Sequence, residues 1–278
     1  MTTTPIVGIH RRSFMRCGTL LLLPAGTLAL PAGALALPGT AQALPLSQAI
    51  NRSGKMRALS QRLSKAYVQG ALNVLPERAR DIQATTRLLL ASSLAELGAA
   101  PLGGDQRRLL QTLDKDCQGL LEVAAAPRKD ALEVARSADV VLEAADRLTR
   151  AFETQSQQNS ARIVNVAGRQ RMRSQRAARA YFLAAAGHDT PAVRAQLTGA
   201  RTEFTQGLAT LQAAPIATPA IRNELELARS QWLFYEGALA KAASPEALQT
   251  VATTSERVFE VMDNLTSLYD AAMRDLLG

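Results

Sequence analysis

The stretch from Asn51 to Tyr67, NRSGKMRALSQRLSKAY, holds five basic residues in seventeen positions and no acid. From Asn165 to Tyr181 the chain reads NVAGRQRMRSQRAARAY. At a constant offset of 114 residues the two agree at Asn51/Asn165, Gly54/Gly168, Arg57/Arg171, Ser60/Ser174, Gln61/Gln175, Arg62/Arg176, Ala66/Ala180 and Tyr67/Tyr181. A motif that recurs at one offset indicates a structural unit that recurs.

Outward from these stretches the sequence is rich in Ala, Leu, Gln, Glu and Arg and poor in β-branched runs or alternating patterns, which reads as helix throughout. Leu75-Pro76, the segment Gly98 to Gly104 and Pro127 break the first half. In the second half Thr190-Pro191, Thr218-Pro219 and Ser244-Pro245 each set a hydroxyl N-cap before a proline at the first helical position. Helices are expected over about 46–74, 77–97, 105–126 and 128–157, then 160–186, 191–213, 219–242 and 245–276. The expected fold class is all-α: two tandem antiparallel four-helix bundle modules, residues 44–157 and 158–278, each with the motif on its first helix.

The junction from Gln155 to Ser160 is polar and contains neither Pro nor Gly. One continuous helix is therefore expected over Asp130 to Ala186, a rod of roughly 85 Å at 1.5 Å per residue. It would hold Arg57 and Arg171 ~35–40 Å apart. A reversal at the junction would instead set Arg57 facing Arg171 in one chain.

Residues 1–43 read as an export signal. His10-Arg-Arg-Ser-Phe-Met-Arg16 is a charged region, an apolar run opens at Leu20, and Ala41-Gln42-Ala43 is a small-x-small cleavage site. The pair Arg11-Arg12 resembles the twin-arginine signal, and cleavage after Ala43 would place the protein in the periplasm. Removing Arg11, Arg12 and Arg16, and no acid, from a formal net charge of +8 leaves +5. That is mildly basic, short of the charge density of a nucleic-acid binder. Cys117, the cysteine that remains, falls in line with Leu110, Leu113 and Leu120 at helical spacing, which predicts a buried structural thiol.

On a helical wheel Ile50, Ser53, Arg57, Ser60 and Ser64 share a stripe, as do Val164, Ala167, Arg171, Ser174 and Ala178. Each arginine stands among small residues, where a second helix can approach and strip its water. A buried guanidinium needs an acceptor. No carboxylate occurs between Leu44 and Leu75, so the acceptor must come from another helix, another chain or a bound anion. Candidate acids are Asp139, Glu143 and Glu260. Lys55, Arg62, Lys65, Arg169, Arg173, Arg176 and Arg179 are expected to lie on solvated faces or to snorkel. Tyr67 and Tyr181 are expected in the core, and so are Trp232, Phe234 and Tyr235.

The pattern Asn-x-(Ser/Ala)-Gly-(Lys/Arg)-x-Arg-x-x-Ser-Gln-Arg, twice over, resembles the PilJ-type ligand-binding module of type IV pilus chemotaxis transducers, related to nitrate/nitrite sensor domains. The resemblance implies an antiparallel four-helix bundle. It also implies an anion site at Arg57 and Arg171, where first helices meet across a dimer, with Gly54, Gly168, Asn51, Asn165, Ser60 and Ser174 around it; on the continuous rod each motif would then need its counterpart in a second molecule, a homodimer with two stacked sites. A planar guanidinium offers parallel donors to a planar oxyanion. Unlike the family's receptors, this sequence carries no HAMP-like, kinase or methyl-accepting region.

Two readings follow. One is a periplasmic binding protein for a small oxyanion, nitrate or nitrite first, acting through a membrane receptor, kinase, chemoreceptor or transporter. The other is a non-catalytic interaction module for type IV pilus or chemoreceptor components. No enzyme is expected, and no cofactor, metal site or nucleic-acid partner. His188, in a Gly-His-Asp turn, has no nucleophile or metal-ligand motif beside it and is expected to be a loop residue.

Overall fold

The computed structural model describes residues 44–126, 130–156 and 159–275. Among them eight α-helices form, and no strand: α1 (Leu46–Ala71), α2 (Pro76–Gly98), α3 (Gly104–Ala125), α4 (Ala131–Ser156), α5 (Asn159–Leu183), α6 (Pro191–Gln212), α7 (Pro219–Leu239) and α8 (Pro245–Asp275). The all-α expectation holds. The export signal and its cleavage site lie outside the described residues. No described helix is long and apolar enough to cross a membrane.

The helix starts follow from the sequence. Pro191, Pro219 and Pro245 each open a helix whose preceding hydroxyl accepts a backbone N–H, Thr190 from Val193, Thr218 from Ile221 and Ser244 from Ala247. These caps satisfy donors that have no partner inside the helix. The turn before α2 is made by Asn73 and Leu75 in the left-handed region, at φ 55 and 45. A π-helical turn, Ala184–His188, follows α5, with Gly187 at φ 92 just before its end. His188 sits at that end, with Nε2 3.8 Å from Asp130.

α1 packs on α2 and α4, and α3 on α4; α5 packs on α6 and α8, and α7 on α8. The two sets are joined along α1 and α5, and α1 also touches α8. All described residues belong to one compact unit, Gln42–Gly278. α1 and α5 are therefore inner helices, clad by neighbours on several sides. Their apolar positions Ile50, Met56, Leu59, Leu63, Ala177 and Phe182 are fully buried, and so are many of their charges.

The continuous helix is not formed. The Asn165 amide donates to Glu153 Oε2 at 2.5 Å, although twelve residues separate them. Arg169 likewise reaches Asp146 at 3.1 Å across 23 residues. Along one helix those separations would be ~18 and ~35 Å at 1.5 Å per residue, so the chain reverses between α4 and α5. A turn in polar sequence without Pro or Gly gave no signal of itself. The stacked homodimer derived from the rod loses its basis with it.

In the second half Trp232 stacks on Phe204 with ring centres 3.9 Å apart and meets Tyr235 edge-on. Phe234 is no part of this cluster: it is 69 % exposed, because residues 232 and 235 take the inward face of α7 and leave 233 and 234 outside. Tyr181 is buried and its hydroxyl donates to the Lys241 carbonyl. Tyr67 is only partly buried. Cys117 is buried as expected, and burial first, then Asp114 and Asp116, pushes its thiol up to about 12.

Candidate functional site

α1 and α5 cross antiparallel, and the motif sets the register. Arg57 donates from Nη2 to Asn165 Oδ1 at 2.7 Å, and Arg171 from Nη2 to Asn51 Oδ1 at 3.0 Å. Moving six residues down α1 moves six residues up α5, which puts Gly54 across from Gly168 midway. The glycines make room for the arginine heads. A Cβ at Gly54 would sit 2.9 Å from Arg57 Nη2; one at Gly168 would sit 3.1 Å from Arg171 Nη2 and 3.7 Å from Arg57 Nη2. The two guanidinium ends are thus no farther apart than the sum of those last two distances.

Both arginines are 1 % exposed. Their acceptors come from the fourth helix of each half: Arg57 donates to Asp146 at 2.6 Å and Arg171 to Asp263 at 2.5 Å. The expected partners Asp139, Glu143 and Glu260 are displaced by these, two turns beyond Asp139 and about one beyond Glu143 and Glu260. Asp146 also takes Arg169 at 3.1 Å, and Asp263 takes Lys55 at 2.8 Å, so each carboxylate binds cations from both halves. Burial lowers the Arg57 pKa to about 10, with Asp146 opposing and Arg169 and Arg171 reinforcing. Burial raises the carboxyls of Asp146 and Asp263, but their cations hold both below the usual range. At neutral pH all four groups are charged.

Outside this centre the same exchange recurs. Lys65, fully buried, donates to Glu256 at 2.6 Å, and Arg62 completes a trio at 2.5 Å. At the position equivalent to Lys65, Arg179 makes a two-point pair with Asp139 at 2.9 and 3.1 Å. Lys65 and Arg179 were expected to lie on solvated faces or to snorkel, as were Lys55, Arg62, Arg169 and Arg173, which are largely covered. The inner position of α1 and α5 forces them onto carboxylates. Gln61 and Gln175 donate to the carbonyls of Ala138 and Ser255. These pairs reveal a second repeat, at an offset of 117: Val134-Ala135/Val251-Ala252, Glu143/Glu260, Asp146/Asp263 and Leu148-Thr149/Leu265-Thr266.

Of the expected site residues, Asn51, Gly54, Arg57, Asn165, Gly168 and Arg171 converge. Ser60 and Ser174 do not face the arginine heads: their hydroxyls donate to the carbonyls of Arg57 and Arg171 on their own turns. Asp146, Asp263, Lys55, Arg169, Lys65 and Glu256 were missed, although the offset of 117 could have found the acids.

The two ends of the site differ. At the Arg57 end Arg150 adds a third cation to Asp146, at 2.6 Å, and Glu153 holds the Asn165 amide. At the Arg171 end the equivalent positions are Ser267 and Asp270. There a polar cleft of ≈ 260 Å³ opens beside Arg171, Asn51 and Asp270. Arg171 Nε and Asp270 Oδ1 are buried and lack hydrogen-bond partners.

Fold and centre define an all-helical module built around paired, charge-balanced buried arginines. Residues 152–257 match the family model PilJ, described as type IV pili methyl-accepting chemotaxis transducer N-term. The expected resemblance to the PilJ-type module is thereby borne out over that stretch, which runs from the end of α4 into α8. The description is that of a sensory part and not of a catalytic family. No curated protein and no solved structure matches the chain.

Proposed function

We propose that the chain is an exported, non-catalytic sensory binding protein made of two PilJ-like modules, residues 44–157 and 158–278. It receives a small oxyanion, nitrate or nitrite first, at the Arg57/Arg171 pair and passes its state to a membrane chemoreceptor, kinase or transporter. The observation that carries this reading is the meeting of the two motif arginines within one chain. Two like charges brought together in a buried place are costly and call for anionic company. Asp146 and Asp263 supply part of it, and each guanidinium keeps N–H groups unused, since five donors meet fewer acceptors. An oxyanion would add to the carboxylates or displace one of them. One chain supplies both halves of the site, so no homodimer is needed.

The test is a thermal shift and calorimetric titration with sodium nitrate and nitrite against chloride at matched ionic strength, beside sedimentation. A specific ligand raises the melting temperature by mass action, whereas general salt effects are shared by chloride. The expected result is a monomer that binds one nitrate, with affinity lost in Arg57→Ala and in Arg171→Ala. Equal responses to nitrate, nitrite and chloride would sink the oxyanion reading.

A second reading, a docking module for pilus or chemoreceptor components, is favoured by α7. Leu233 and Phe234 stand 70 % and 69 % exposed between two surface grooves. It gains if every anion behaves as chloride does.

A further inference from the structure

At the Arg171 end a buried carboxylate oxygen of Asp270 and the Nε of Arg171 lack partners beside an open cleft. At the closed end Glu153 spans the gap to the Asn165 amide. Asp270 replaces it with a side chain one methylene shorter. Its Oδ2 takes Arg274 at 2.9 Å, and its Oδ1, in a side chain only 8 % exposed, takes nothing. A buried carboxylate oxygen without a partner forfeits a charge-assisted hydrogen bond, so the cleft calls for an N–H or O–H donor. At the rim stands Arg52, whose Nε pairs with Glu96 at 2.7 Å and whose two terminal nitrogens are left to grip a carboxylate. The lining sets Arg52, Lys55, Arg171 and Arg274 against Asp263 and Asp270, and Glu96 offsets one more cation, so a ligand of large net charge is disfavoured. The volume lies below the roughly 300–1,000 Å³ of drug-sized pockets, which restricts the occupant to a small solute.

We propose that this cleft binds a small α-amino acid as its zwitterion, with the ammonium on Asp270 Oδ1 and the carboxylate on Arg52. The proposal goes beyond the oxyanion reading and does not rest on it, because nitrate and nitrite have no hydrogen to give Asp270.

Titration calorimetry of the purified protein with glycine, alanine and serine, each beside its N-acetyl derivative and beside the corresponding amine, tests it. One site per chain is expected, with at least tenfold weaker binding of either single-ended analogue. Two variants copy the closed end: Asp270→Glu, which lengthens the carboxylate toward Asn51, and Ser267→Arg, which sets an arginine where Arg150 stands. Both should weaken binding at least tenfold. Ser267 is exposed, so Ser267→Arg should keep the parent's circular dichroism and melting temperature, and it decides the matter if Asp270→Glu folds poorly. Absence of heat with every amino acid, equal binding of the N-acetyl forms, or full affinity in Ser267→Arg would overturn the proposal. Heat with nitrate and none with amino acids would overturn it too, while leaving the oxyanion reading of the arginine pair in place.

Discussion

Arg57 and Arg171 occupy equivalent places on α1 and α5, equally buried and each bonded to an aspartate of its own half and an asparagine of the other. Around Arg57 the neighbours close ranks: Asp146 is held by three cations, and Glu153 fixes Asn165. Around Arg171 the same scaffold stays open, with two cations on Asp263 and a cleft beyond. The difference comes down to two side chains on the fourth helices, Arg150 against Ser267 and Glu153 against Asp270. A repeat can thus keep its charge balance at the centre while its rim diverges.

The largest test of this contrast removes one aspartate at a time. Asp146→Ala strands Arg57 and Arg169 in a covered site and should cost about 3–5 kcal/mol, as breaking a buried pair does. Asp263→Ala leaves Arg171 beside a polar cleft and should cost about 2 kcal/mol, the range for a charged hydrogen bond. Urea unfolding measures both, and equal costs would break the contrast between the ends.

Next is the acid limb of stability. Burial raises the Glu256 carboxyl, but Lys65 and Arg62 overcome this and bring it from 4.5 down to about 2. The folded pKa is depressed, so the contribution is complete above pH 4.5 and is lost as pH falls toward about 2. The loss should be about 3 kcal/mol, read from urea midpoints across that window. The double variant Lys65→Met with Glu256→Gln removes both charges and should flatten the slope; an unchanged slope would assign it to other carboxylates.

The smallest effect concerns the glycines. Gly54→Ala presses on an arginine pinned at the closed end and should cost about 1–2 kcal/mol, strain less the helical preference of alanine. Gly168→Ala should lie within about 1 kcal/mol of the parent, since Arg171 has a cleft toward which to shift. The reverse order, in thermal melts, would place the rigid end at Arg171.

Much of this was legible in the sequence. The Thr-Pro and Ser-Pro pairs located three helix starts, and the offset of 114 marked the glycines and arginines of α1 and α5, although the meeting of these helices in one chain was the alternative to the expected rod. The need of Arg57 for an acceptor outside α1 could be stated, but its identity could not, because Asp146 and Asp263 recur at 117, three residues out of step with the motif. Lys65 and Arg179 looked like surface residues, as lysines and arginines in helices usually are. Their burial follows from α1 and α5 being flanked on several sides, which is a property of packing and not of either helix. The reversal before Asn159 left no proline or glycine to mark it.

The join between α1 and α5 has a consequence for how such a site can change over generations. Two separate copies of a bundle meet only as often as their concentration allows, and every substitution in them strikes both partners at once. Two halves of one chain meet at an effective concentration set by the connection between them, on the order of millimolar or higher for short links, and each can be altered alone. Ser267 and Asp270 stand where the other half has Arg150 and Glu153, while the Arg57 end stays closed. One half of the molecule is then free to specialise while the other keeps the pair together.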